Sequence, residues 1–385
     1  MRPRLLFHCQ HSLGLGHLVR SLALVRSLAD RFDVVLLAGG EIPAGLELPR
    51  EVEVVRLPAV AAASDGLVSR APGLTLAAAR RRRDALVLDT FGLIRPDCVV
   101  VELFPFGRKK FAGELLPMLT AASASGALVA CSVRDILVRG RSDQHDHDDR
   151  AAAIANRLFG AVLVHADPRL VRLDETFRPR TPLRVPVHYT GFVVPEGEVR
   201  SPAPRSGPLV VSAGGGRFGG RLLRAAAAAQ PAIRTQTGLP MRLVAGPFLP
   251  EEEHRGLVRA VHERDGVEVV RAVPDLVAEL ASARASLSQC GYNTALDVIR
   301  SGVPALVAPF AAPGEDEQTR RADLLARLGV VRALDERELA PTPLAEAVRG
   351  VLGQAPPPIE IDLDGARRSC DLLAALVAGR TRGAA

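Results

Sequence analysis

Residues 208–220 read PLVVSAGGGRFGG. An apolar run closes on serine and alanine, five glycines follow between Gly214 and Gly220, and an alanine-rich helical stretch begins near Gly220. Strand, glycine loop and helix in that order open a mononucleotide-binding unit: bare backbone N–H groups gather at the positive end of the helix, where phosphate oxygens can approach. The start of the chain has the same grammar. RLLFHC (residues 4–9) breaks into QHSLGLG, and a helix is expected over His17–Arg31. Two such openings imply two Rossmann-like domains rather than one large sheet.

The intervening pattern agrees. DVVLLAG, VEVVRL, DCVVVELF, ALVACSV and AVLVHAD alternate with helical stretches around Leu74–Leu86, FAGELLPMLTAA and AIANRLF. Strands that are apolar on both faces predict a parallel sheet covered by helices. At VVPEGEVRSPAPRSGP four prolines interrupt any apolar periodicity, which reads as a linker. The pattern then resumes with MRLVAGP, VEVVRAV, ASLSQC and PALVAPF. The expected organisation is a first Rossmann-like domain over 1–194, a linker over 195–207, a second such domain over 208–355, and a C-terminal helix and tail over 356–385 that packs back on the first domain. Ligands of open α/β sheets bind beyond the carboxyl ends of the strands, so the two domains are expected to face a common cleft.

Composition narrows the class. Of 385 residues 48% are hydrophobic and 24% charged, and no apolar run is long enough to cross a bilayer. The first residues lack a secretory apolar core, so a cytoplasmic protein is expected. Five widely spaced cysteines without a C-x-x-C pair argue against a disulfide framework or a zinc knuckle. The net charge of +6 is spread along the chain with few aromatics, unlike a nucleic-acid surface. Lys109 and Lys110 are the only lysines.

The most informative stretch is SQCGYNTALDVIRSGVPALVAPF, Ser288–Phe310. Ser288–Cys290 end a strand, Gly291 turns the backbone, Asn293 or Thr294 caps a helix, Asp297 lies one turn inside it, and Gly302 with Pro304 stops it. Asn293 and Asp297, four apart, share a face. Amide and hydroxyl donors at the helix start suit a phosphate; a carboxylate one turn deeper suits two vicinal ribose hydroxyls. Glu317 and Gln318 open the next helix, where they can grasp sugar hydroxyls. In the first loop, GLGHLV fits only part of the dinucleotide fingerprint because Val19 stands at the third small position, even with Glu41 as a candidate ribose acid. His17 is a titratable group at a helix start, suited to an anion or to base catalysis.

The pattern QCGYNT, Asp297, GVP and EQ resembles the nucleotide-sugar signature of GT-B glycosyltransferases. With GLGHLVRSLAL, CQHSLG, ELFPFGRKK and CSVRDIL, the chain resembles the bacterial predicted glycosyltransferases near the family 28 enzyme that adds N-acetylglucosamine to the lipid-linked peptidoglycan precursor. The resemblance implies a GT-B fold with a donor site in the second domain. Asp297 takes the position of the ribose-binding Glu, and Asn293 and Thr294 that of the phosphate-contacting pair. Glu317 and Gln318 hold the donor sugar, and Val273 reads the uracil edge through backbone groups. Gly214, Gly215 and Gly216 lie beside the diphosphate, while Ser288, Gln289, Gly291 and Tyr292 complete the motif. Gln289 replaces the family's His and Asp297 shortens its Glu, two departures that bear on base and sugar preference.

The implied reaction is inverting transfer from a UDP-sugar, a co-substrate, with neither cofactor nor metal. The Gly214–Gly216 loop, Arg217 and the helix near Asn293 stabilise the leaving diphosphate in place of a metal ion. His17 is the expected base, with Glu102 and Asp135, at strand ends, either orienting it or acting alone. Gly14, Gly16, Arg108, Lys109 and Lys110 are the expected acceptor contacts. The flanking Phe104, Phe106 and Phe111 suit either peripheral contact with a membrane surface or simple anchoring. Two rivals stay open: a nucleotide-sugar hydrolase on the same scaffold, whose G-x-G-H-x-x-R opening this chain resembles and in which His17 would activate water, and a non-catalytic or NAD-linked protein. DQHDHDDR (Asp143–Arg150), with His145 and His147, offers either a divalent-ion loop or a solvated helix start.

Overall fold

The computed structural model of the chain describes residues 2–11, 16–43, 46–63, 66–139, 141–195, 205–312 and 315–383. It divides into two compact units, Met1–Leu137 with Arg141–Glu196 and Ile361–Ala385, and Val138–Gly140 with Gly197–Glu360.

Unit one runs β1 (Arg4–Cys9), α1 (Gly16–Leu28), β2 (Asp33–Ala38), β3 (Glu53–Arg56), β4 (Val60–Ala63), β5 (Gly66–Ser69), α2 (Leu76–Ile94), β6 (Cys98–Glu102), α3 (Ala112–Ala124), β7 (Leu128–Arg134), α4 (Gln144–Leu158), β8 (Ala161–His165), α5 (Leu173–Thr176) and β9 (Val187–Tyr189). Seven strands form a sheet in the order β3-β2-β1-β6-β7-β8-β9, every neighbouring pair parallel. The central strands β6 and β8 are buried along their whole length. Their two-sided apolar character follows from helices on both faces. β4 and β5 form a separate antiparallel hairpin that the sequence pattern does not announce.

Unit two runs β10 (Gly207–Ser212), α6 (Gly220–Thr237), β11 (Met241–Val244), α7 (Glu251–Val261), β12 (Val267–Val270), α8 (Leu276–Ser282), β13 (Ala283–Ser288), α9 (Tyr292–Ser301), β14 (Ala305–Val307), α10 (Glu317–Arg327), β15 (Arg332–Ala333) and α11 (Pro341–Val351). Its six strands are ordered β12-β11-β10-β13-β14-β15, again all parallel. Both sheets reverse strand order beside their first strand, the crevice where Rossmann-like sheets take ligands. The last helix, α12 (Gly365–Gly383), returns to unit one. Its Cys370, Leu373 and Val377 join Leu18, Leu22 and Val25 of α1 in one buried cluster.

Most of the expected linker lies outside the described residues, but Arg205 is docked on unit two. Its guanidinium donates to the carbonyls of Leu280, Ala281, Ser301 and Gly302, the C-terminal ends of α8 and α9. A cation there complements both helix dipoles and holds α9 in place.

Candidate active site

In unit one several of the candidate residues gather at the carboxyl ends of β1 and β6. α1 begins at Gly16, so His17 is its second residue; Gly14 lies outside the described residues. Glu102 ends β6, buried on all sides. His17 Nδ1 lies 2.6 Å from Glu102 Oε1. Arg20, one turn further along α1, donates to that same oxygen and is itself buried. Arg108 Nε stands 3.9 Å from Oε2. Two arginines and an imidazole thus converge on one buried carboxylate.

The electrostatics assign the protonation states. Burial raises the Glu102 carboxyl, but His17, Arg20 and Arg108 outweigh it and hold the group at about 2. Burial pushes the His17 imidazole down to about 3 against the opposing pull of Glu102. An ionised Glu102 can only accept, so the neutral ring is assigned the tautomer that donates from Nδ1. Nε2 then carries the lone pair, and it has no hydrogen-bond partner among the described residues. With 17% of the side chain accessible, the ring can meet a ligand. This is the arrangement of a general base oriented by a carboxylate.

The other expected residues of unit one are distributed differently. Asp135 is buried one residue past β7, yet the partner of His17 is Glu102. Arg108 adopts a left-handed φ of 58° and folds back toward Glu102, whereas Lys109 and Lys110 are exposed and Lys110 Nζ donates to the Gly66 carbonyl at 3.3 Å. Phe104, Phe106 and Phe111 are buried anchors, not a surface patch. DQHDHDDR resolves into the start of α4: Asp146 and Asp149 pair with Arg180, and His147 with Asp148. Among the described residues no cluster of three or more His, Cys, Asp or Glu can hold a metal ion.

In unit two the glycine loop and the start of α9 meet. Gly214 and Gly216 have φ of 56° and 88°. At Gly216 a Cβ would sit 2.5 Å from the Ala245 carbonyl, and at Gly214 3.3 Å from Thr294 Oγ1. Glycine is therefore needed for both backbone angle and close approach. Gly219 and Gly291 are the N-caps of α6 and α9, and neither helix is capped by a side chain. Two helix starts thus offer N–H groups beside the loop. The cap differs from the sequence expectation: Asn293 and Thr294 lie within the first turn of α9, because Gly291 already has extended geometry (φ −66°, ψ 159°). Nothing in the protein requires glycine at Gly291, where a Cβ would point into open space.

Asp297 lies one turn into α9. Burial pushes its carboxyl up to about 7, Arg300 offsetting part of the effect and Asp275 adding to it. Among the described residues it makes no hydrogen bond or ion pair. Ser288, at the end of β13, has a buried hydroxyl with no partner among them either. Gln318 Oε1 accepts from the backbone N–H of Cys290 and of Phe310, both at 3.1 Å, tying the ends of β13 and β14 to α10. Its amide nitrogen is left without a partner among the described residues. Gln289 Nε2 donates to the Phe218 carbonyl at 2.9 Å. Tyr292 is buried with Arg321 over its ring, Arg217 is exposed, and Val273 lies half-buried in the loop after β12. Glu317 is the first residue of α10.

Residues 213–359, which hold all of these unit-two groups, match the model of the glycosyltransferase family 28 C-terminal domain. The fold is GT-B. The GT-B chain described here resembles the calicheamicin glycosyltransferase CalG4 over 100% of its own length and 97% of that chain, with a TM-score of 0.58 at 20% identity. It resembles MurG of Acinetobacter baumannii over 98% and 95%, with a TM-score of 0.54 at 15% identity. In sequence it is 28% identical over 208 residues to the UDP-N-acetylglucosamine–N-acetylmuramyl-(pentapeptide) pyrophosphoryl-undecaprenol N-acetylglucosamine transferase of Solibacter usitatus, covering 52% of this chain and 54% of that one. The match thus spans about half the length of the curated relative.

The sequence reading quotes Arg20 within the G-x-G-H-x-x-R opening without giving it a role, and it missed Arg205, Phe218 and Phe310. Arg20 carried a signal, since it stands three after His17 and so on the same helix face. The others depend on partners far apart in the chain.

Proposed function

We propose that the chain transfers a sugar from a UDP-sugar to an acceptor hydroxyl or amine, with inversion and without a metal ion. One observation carries the reading: a half-buried carboxylate, Asp297, stands without a hydrogen-bond or ion-pair partner among the described residues, one turn inside a helix whose glycine-capped start adjoins a glycine loop. A ribose supplies two vicinal hydroxyl donors for that carboxylate, and a diphosphate supplies acceptors for the N–H groups of the loop and of α6 and α9. The open space at Gly291 suits a phosphate. The family 28 match, and the UDP-N-acetylglucosamine in the name of the Solibacter usitatus relative, favour UDP.

In this reading Nε2 of His17 takes the acceptor's proton while Glu102 and Arg20 fix the ring. The acceptor atom bonds to the anomeric carbon as the bond to the diphosphate oxygen breaks, and the oxygen leaves with the electron pair. The loop N–H groups and Arg217 stabilise that charge. A single displacement inverts the centre. Lys109 and Lys110, exposed beside Arg108, favour an anionic acceptor, soluble or at a membrane surface; among the described residues no helix is long and apolar enough to cross one.

The test is incubation with UDP-N-acetylglucosamine and UDP-glucose, with and without acceptor extracts and chelator. Acceptor-dependent UDP release that survives chelator, with an inverted anomeric product by NMR, is expected. Stoichiometric release of free sugar without acceptor would make the protein a hydrolase, and chelator-sensitive release would overturn the metal-free mechanism.

A further inference from the structure

Two phenylalanines stack at the carboxyl edge of the unit-two sheet. The Phe218 and Phe310 ring centroids are 4.7 Å apart with planes 21° from parallel. Phe218 follows Arg217 in the glycine loop, Phe310 lies three residues past β14, and Phe218 is 45% exposed. Phe310 is half-buried, so the pair presents the Phe218 ring to solvent while Phe310 backs it, and it is their neighbours that give this open ring a role.

The Phe218 carbonyl accepts from Gln289 Nε2, and the Phe310 N–H donates to Gln318 Oε1. The pair therefore spans from the glycine loop, proposed to hold the diphosphate, to Gln318, whose amide nitrogen has no partner among the described residues. An apolar face beside an available amide donor matches a pyranose, which presents C–H groups on its faces and hydroxyls around its rim.

Resting on the donor reading above, which gives Gln318 to the donor sugar, we infer that Phe218 and Phe310 form an aromatic platform for the C–H face of that sugar. The platform acts on the sugar and not on the nucleotide.

The test compares affinities of the full chain for UDP, UDP-N-acetylglucosamine and UDP-glucose by calorimetry, in the parent, Phe218→Ala, Phe310→Ala, and the conservative Phe218→Trp and Phe310→Tyr. Phe218→Ala and Phe310→Ala are expected to keep UDP affinity within about twofold and to lose roughly five- to tenfold for at least one UDP-sugar, as expected of a lost aromatic contact. Trp and Tyr are expected to restore most of the loss. Equal weakening toward UDP and both UDP-sugars would make the pair a prop of the loop and overturn the inference, as would no change toward any ligand. A parent that binds UDP but gains or loses nothing with the sugar refutes the platform alone. A parent that binds none of the three refutes the donor reading and the platform together.

Discussion

Replacing Asp297 by Asn is predicted to stabilise the protein in a pH-dependent way. The carboxyl stands at about 7 in the folded chain because of burial, against 3.8 for the exposed group. The folded state therefore holds a proton that the unfolded chain releases between those two values, and stability falls as pH rises through this window. The penalty is absent below the unfolded value and complete above the folded one. At roughly 1.4 kcal/mol per unit, the parent loses about 4 kcal/mol by pH 8 but only about 1.5 at pH 5. Asn cannot ionise, so its stability advantage over the parent is expected to grow by about 2–3 kcal/mol between pH 5 and pH 8. Urea denaturation at both values, followed by a probe in unit two, measures this directly. An advantage that is the same at both pH values would show that Asp297 is solvated or paired, and would remove the unpartnered carboxylate on which the donor site rests.

Other predictions concern the remaining groups. His17→Ala is expected to abolish transfer, with a rate loss on the order of 10²–10⁴ and unchanged affinity for UDP; initial rates and calorimetry together check it. Because the imidazole is held at about 3, kcat/KM is expected to show no acid limb near the ordinary histidine value of 6.5, and a limb there would refute the assigned burial of the ring. The same lowered value makes His17 favour the folded state above 6.5, and that contribution is lost as pH falls toward 3. Glu102→Gln removes the buried carboxylate to which Arg20 donates and beside which Arg108 stands, and is expected to destabilise unit one by about 3–5 kcal/mol as well as slowing transfer, which denaturation curves and rates resolve. Arg205→Ala removes four carbonyl contacts from the ends of α8 and α9, and a loss of about 2 kcal/mol or more is expected in the unit-two transition.

The architecture was legible because parallel strands covered on both faces are short apolar runs, and glycines mark where they turn. RLLFHC and PLVVS became β1 and β10, and the helices after them begin at Gly16 and Gly220, within a residue of the expected starts. The hairpin β4–β5 escaped notice because its VAAA strand has neither bulk nor alternation. α2 continues to Ile94, past the expected end near Leu86, since nothing breaks it before Arg95 turns left-handed. Local spacing located Asp297 and Gln318 but could not foresee that Gln318's oxygen is committed to two backbone N–H groups. Nor could it pair Arg20 with Glu102 across 82 residues, or stack Phe218 on Phe310; such partners are set by the strand order of each sheet.

The central claim is that unit two grips a sugar nucleotide through the start of α9. Calorimetric titration of UDP-N-acetylglucosamine into the parent and into folded Asp297→Ala and Asn293→Ala variants addresses it most directly. Saturable one-to-one binding by the parent, weakened at least tenfold in both variants, is the predicted result. Binding of equal strength in all three proteins, or none in the parent, would contradict it.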